Sequence, residues 1–117
     1  TGTQPVWMIH PDIEEIGGDW VILGVRNHWT ALSFAAREIY RQTPYRRVDL
    51  KMGLGYEDWS WNEETIAQGC LHKPVMGTAH MVRVRQNSLV RQTASVGAVK
   101  VPSTLFVNRI GWKARAA

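Results

Sequence analysis

In the run His80-Met81-Val82-Arg83-Val84-Arg85, apolar and basic side chains alternate. A strand with that spacing keeps Val82 and Val84 in a core and sends Arg83 and Arg85 out of the opposite face. Arg91, Lys100, Arg109, Lys113 and Arg115 extend this pair into a line of candidate phosphate contacts, each adding to a salt-dependent binding term. Asn87, Ser88, Gln92, Thr93, Ser103, Thr104 and Asn108 are interleaved as uncharged donors of the kind that reach phosphate and ribose oxygens. No GXXG clamp, zinc-knuckle spacing or RNP aromatic signature accompanies them. A second basic group, Arg37, Arg41, Arg46, Arg47 and Lys51, reads equally as a contact surface or as a solvated face. Pairing with Glu38 and Asp49 would add little to stability.

Other chemistry is thinner. His10, His28, His72, His80 and Cys70 could ligate a metal, but Cys70-x-His72 lacks a second pair at finger-like spacing, so no metal is expected. His80, at a strand start, reads as a core-edge or RNA-facing imidazole, and Cys70 as a small buried hydrophobe. Glu14-Glu15 and Glu63-Glu64 are adjacent carboxylates, which rarely converge on one substrate atom. Without a nucleophile or glycine-rich phosphate loop nearby, both pairs read as solvated surface. No catalytic residue and no cofactor is expected.

The 117 residues and 13.3 kDa fit one domain. With 44% hydrophobic residues, a modest core is within reach and wholesale disorder is not expected. No stretch supplies the ~18 continuous apolar residues of a membrane span. One cysteine excludes an internal disulfide framework, and the start Thr1-Gly2-Thr3-Gln4-Pro5 resembles neither a signal nor a transit peptide. A small soluble domain of a reducing or non-secretory compartment is expected, and a presequence already removed would leave no trace. The net charge of +4 conceals a split. All ten carboxylates lie in residues 1–64 beside six Arg and Lys, a net of −4; residues 65–117 carry eight Arg and Lys and no carboxylate, a net of +8. A polyanion, nucleic acid above all, is the natural partner for such a stretch.

These side chains need elements to position them. Residues 1–19 read as a Pro/Gly-punctuated acidic extension with at most one helical turn after Pro11. Trp20 to Arg26 reads as a buried strand. Thr30 to Gln42 reads as a helix capped by Thr30 and ended by Thr43-Pro44, and Pro44 opens a second short helix that Gly53-Leu54-Gly55 stops. Residues 56–64 read as a short strand or a Trp-anchored loop, Thr65 to Ala79 as a weak helix, and His80 to Arg85 as a strand. Leu89 to Val101 and Leu105 to Ile110 read as further strands or extended arms. The class is α+β. Six tryptophans (Trp7, Trp20, Trp29, Trp59, Trp61, Trp112) exceed what a domain this small buries unaided, which implies an assembly interface.

Met52-Gly53-Leu54-Gly55, together with His80-Met81-Val82-Arg83-Val84 and the 25 residues between Leu54 and His80, resembles the universal large-subunit ribosomal protein family "L thirty". Pro44-Tyr45 with Asp49-Leu50-Lys51-Met52 resembles a stretch of its animal mitochondrial members. The resemblance spans about residues 20–86. It implies a ferredoxin-like β-α-β-α-β core with a three-stranded antiparallel sheet, Val21 to Arg26 as first strand, and extensions at 1–19 and 87–117. Thr30 to Gln42 is then an inserted helix or an extended first helix. Arg26, His80, Arg83 and Arg85 become RNA-facing positions. The expected function is that of a non-catalytic constituent of the large mitochondrial ribosomal subunit, contacting rRNA and neighbouring ribosomal proteins, with no membrane and no small-molecule substrate. The alternative is an RNA-independent assembly subunit of a capsid, tail or other multiprotein complex, using a Trp-rich interface.

Overall fold

The computed structural model describes residues 5–15, 23–101 and 103. Its elements follow in the order β1 (Pro5–Met8), α1 (Arg37–Gln42), a 3-10 turn (Leu50–Met52), β2 (Leu54–Gly55), α2 (Glu57–Ala67), β3 (His80–Arg83), α3 (Leu89–Ser95) and β4 (Val99–Lys100). The class is mixed α and β, as expected. Among the described residues the strands form two two-stranded sheets, antiparallel β1–β3 and parallel β2–β4, and no three-stranded sheet.

Helix α2 is the hub. Ser60, Trp61, Asn62, Glu63, Thr65 and Ile66 are all buried on it, so polar and apolar residues share the interior. Buried polar groups need partners, and these tie loops to the helix. Trp59 Nε1 donates to the Leu23 carbonyl at 2.6 Å, Trp61 Nε1 to the Thr43 carbonyl at 2.6 Å, and Ser60 Oγ to the Val101 carbonyl at 2.7 Å. An apolar cluster of Ile13, Leu23, Trp29 and Ile66, flanked by Trp59 and Ala67, fills one side. On another, Tyr40 and Tyr45 stack against Trp61 with centroids 5.2 and 5.1 Å away.

Several elements differ from expectation for identifiable reasons. Residues 57–64 are neither strand nor loop but the first turns of α2, with Tyr56 as its N-cap at φ 59° and Glu57 and Asp58 in its first turn. Leu23 to Arg26, the described part of the expected first strand, joins no ladder. Leu23 is helical and fully buried, with a turn at Gly24 and Val25 after it, since a short apolar run signals burial rather than backbone type. Only Arg37–Gln42 of the Thr30 helix forms. Thr30 Oγ1 instead accepts the Leu32 N–H at 3.3 Å, and Phe34 is 98% exposed, so the first half has no packing face to hold it helical.

The stop at Thr43-Pro44 occurs where expected. Beyond it only the 3-10 turn forms, capped by Asp49 Oδ1 accepting from Lys51 N and Met52 N, and Gly53 ends it at φ 72°. The weak helix expected over Thr65 to Ala79 ends at Ala67, and Gly69 follows at φ 95°. Leu89 to Val101 divides into α3 and β4 rather than one strand. Buried Thr93 gives α3 its packed side. β1 arises where an extension was expected, and Ile13–Glu15 form the turn after Pro11, with Ile13 N–H donating to the His72 carbonyl at 3.0 Å. Leu105 to Ile110 lies outside the described residues.

Thr93 meets Gly55 so closely that a Cβ added at Gly55 would lie 2.4 Å from Thr93 Cγ2. Thr93 Oγ1 donates to the Leu89 carbonyl at 2.8 Å, which fixes its rotamer and prevents retreat. Gly55→Ala should therefore destabilise the fold by about 1–3 kcal/mol, read as a lower urea midpoint; an unchanged midpoint would mean that α3 yields.

Candidate nucleic-acid interface

The register of β1 against β3 pairs Pro5 with Arg83, Val6 with Val82, Trp7 with Met81 and Met8 with His80. Residues opposite each other in an antiparallel pair share a face. One face thus carries Pro5, Trp7, Met81 and Arg83; the other carries Val6, Met8, His80 and Val82. Along β3 and past its end, exposure alternates as the sequence predicts: His80, Val82 and Val84 are half-buried, and Met81, Arg83 and Arg85 exposed. Trp7 is 64% exposed and Met81 56%. A half-open cleft of about 510 Å³ is lined by Pro5, Met81, Val82 and Arg83.

Arg26 is exposed in the loop that follows the turn at Gly24 and Val25, and Arg91 is exposed on α3. Among the described residues, no carboxylate forms an ion pair with Arg26, Arg83, Arg85 or Arg91. Arg109, Lys113 and Arg115 lie outside the described residues. His80 turns to the inner face, where its Nδ1 lies 3.0 Å from His10 Nε2. It closes the end of the ribbon instead of projecting with Arg83.

Lys100 is also engaged internally. Its Nζ lies 2.6 Å from Glu63 Oε2 and 5.4 Å from the centroid of the Trp59 ring. Glu63 is 1% exposed, so the expectation that Glu63-Glu64 is solvated surface fails at its first member. Burial raises the Glu63 pKa against the pull of Lys100. Glu64 instead reaches Arg46, leaving Arg37, Arg41, Arg47 and Lys51 exposed in the second basic group. Glu14 and Asp12 both pair with Lys73. Asp58 is raised by burial and accepts from Asn27 Nδ2 at 3.4 Å, while Asn27 Oδ1 accepts from Asn62 Nδ2 at 3.1 Å.

The imidazoles are dispersed. Among the described residues His28 Nε2 is buried without a hydrogen-bond partner, and burial, aided by the Arg26 charge, lowers its pKa. His72 packs between Trp29 and Trp61, and Cys70 is half-buried rather than fully buried. Among the described residues no three His, Cys, Asp or Glu side chains converge as a metal site, and no helix is long and apolar enough to cross a membrane.

The face that sequence reasoning missed is the β1 half. Pro5-Val6-Trp7-Met8 carried a strand signal in its β-branched and aromatic residues, hidden by the prolines and acids around it. Comparison with protein-family models, with curated proteins and with solved structures gives no match for this chain.

Proposed function

We propose that this chain is a non-catalytic structural component of the large ribosomal subunit, of the mitochondrial type, that binds rRNA and neighbouring ribosomal proteins. The observation that carries the reading is the 53-residue stretch 65–117 with eight Arg and Lys and no carboxylate, from which Arg83 and Arg85 project into solvent. Such cations bind phosphates with little regard to base sequence, which suits docking on the shape of folded RNA. The reading carries a ferredoxin-like core over residues 20–86. The chain order 3-10 turn, β2, α2, β3 is the order that pattern has after its first helix, with β2 paired to β4 and β3 to β1. The matrix ribosome is then its location, and large-subunit rRNA its main partner.

The charge-removing pair Arg83→Gln with Arg85→Gln is too mild to unfold exposed positions and removes two phosphate contacts. It should flatten the logarithmic salt dependence of RNA binding by about 1.4–1.8 and weaken incorporation into the large subunit in sucrose-gradient sedimentation. Full incorporation of the double variant, or co-sedimentation that survives ribonuclease, counts against the reading.

A second reading, an RNA-independent assembly subunit, is favoured by one observation: Ile9 and Phe34 are 94% and 98% exposed, and Met76 is 88% exposed. Apolar groups left in solvent fit a protein neighbour. Salt separates the two, since an apolar protein interface holds as ionic strength rises and RNA binding weakens.

A further inference from the structure

We infer that the outer face of the β1–β3 ribbon binds unpaired RNA, with Trp7 as a stacking platform for a base and Arg83 and Arg85 holding the adjacent phosphates. This deepens the ribosomal reading and rests on its assignment of RNA as partner.

Three observations meet on this face. Trp7 is a large aromatic left 64% exposed on an ordered strand, opposite Met81 and one cross-strand pair from Arg83. Strand geometry fixes both side chains on the same side of the ribbon, with Arg83 diagonal to Trp7 at a separation that long side chains span. The guanidinium groups of Arg83 and Arg85 meet no carboxylate among the described residues, and the 53 residues around them supply none. An aromatic surface beside uncompensated cations is complementary to a base attached to its phosphate. A protein partner with an apolar patch would satisfy Trp7 and Met81 but leave the two cations unmatched.

Double-stranded RNA offers phosphates and 2′-hydroxyls while keeping base faces inside the stack. A single strand exposes both base faces and phosphates, and stacking on aromatic rings tolerates any base. The half-open cleft lined by Pro5, Met81, Val82 and Arg83 lies on the same ribbon, beside Arg83.

The test compares a short oligouridylate with a duplex RNA by fluorescence anisotropy on the full chain across a salt series, for wild type, Trp7→Leu, Trp7→Phe and Arg83→Gln/Arg85→Gln. Circular dichroism and urea midpoints confirm that each variant is folded. Trp7→Leu should weaken oligouridylate binding roughly 5- to 100-fold with an unchanged salt slope, leave duplex binding where it was, and be largely rescued by Trp7→Phe. The arginine pair should lower the salt slope for both RNAs. If Trp7→Leu binds oligouridylate as wild type does while the arginine pair weakens it, stacking is overturned and phosphate docking stands. If wild type binds neither RNA at low salt, the inference falls together with the ribosomal reading.

Discussion

Lys100→Met is expected to destabilise the fold by about 3–5 kcal/mol, out of a total of roughly 5–15 kcal/mol for a domain of this kind. The Lys100 ammonium is the ion-pair partner of Glu63 at 2.6 Å, and Glu63 is 1% exposed. Its Oε1 is buried without a hydrogen-bond partner among the described residues, and among them Lys100 alone pairs with the carboxylate. Methionine keeps much of the lysine stem, so the packing near Trp59 changes little and the loss reports on charge. The double variant Glu63→Met/Lys100→Met should recover most of the stability, because the cost lies in the orphaned charge and not in the absence of the pair.

The pH dependence of Lys100→Met has a definite sign. Burial raises the Glu63 pKa above its ordinary 4.5, and removing Lys100 takes away the two influences, hydrogen bond and charge, that lower it. A raised carboxyl penalises the fold as pH climbs above the unfolded value, and the penalty vanishes once both states are protonated. The variant should therefore regain stability on acidification relative to wild type. Urea melts at several pH values measure this, and a variant with the wild-type midpoint throughout would show that Glu63 finds another cation.

What the sequence made legible follows from where the physics is local. His80 to Arg83 was readable because alternation with period two is a direct consequence of one buried face, and the charges on the other face made it unambiguous. Gly53 was readable as a stop because φ 72° suits glycine. α2 was not readable. Its buried side is built from Ser60, Asn62, Glu63 and Thr65, which look like surface residues until partners at Lys100, Asn27, Val101 and His72 are in place. Those partners lie between 7 and 41 residues away, and no window of local hydropathy contains them. The same limit hid half of the candidate interface: the sequence marks Arg83 and Arg85, but only the pairing of β1 with β3 brings Trp7 beside them.

The interior also explains why the basic stretch is not uniformly available to a polyanion. Lys73 is spent on Asp12 and Glu14, and Lys100 on Glu63, which leaves Arg83, Arg85 and Arg91 as the described cations of residues 65–117 without an ion pair among the described residues. Charge counted along a chain overstates charge at a surface. The two lysines hold acidic segments against the fold, and the arginines, whose planar groups suit phosphate, stay outside.

Acidification from pH 6.5 towards 4 is expected to remove about 3 kcal/mol of stability through His72 alone. The imidazole lies between Trp29 and Trp61, with ring centroids 4.8 and 5.8 Å away, and burial holds its pKa down to about 4 from 6.5. Thr65 Oγ1 donates its single proton to the Trp61 carbonyl at 2.9 Å, so His72 Nε2–H donates to that hydroxyl at 2.9 Å. Among the described residues no carboxylate bonds to the ring to repay a charge. A depressed folded pKa gives stability that is complete above 6.5 and lost as pH falls through the window to 4. Glu63 and Asp58 tilt the other way, since burial raises both carboxyls and favours the fold on acidification.

The contribution of His72 is therefore read as a difference. His72→Gln retains an amide able to meet Thr65 but cannot titrate, so the stability gap between wild type and variant should narrow, or reverse, by about 3 kcal/mol between pH 6.5 and 4. A gap that stays constant over that interval would mean that the ring accepts its proton without cost. The consequence reaches the interface as well. The His72 carbonyl accepts from Ile13 N–H, which anchors the segment leading from β1, and His72 separates the apolar cluster from the Trp61 stack. Charging the ring would loosen both sides of α2 and the tether of the strand that carries Trp7, so the proposed binding of unpaired RNA should weaken over the same pH interval, despite the greater positive charge.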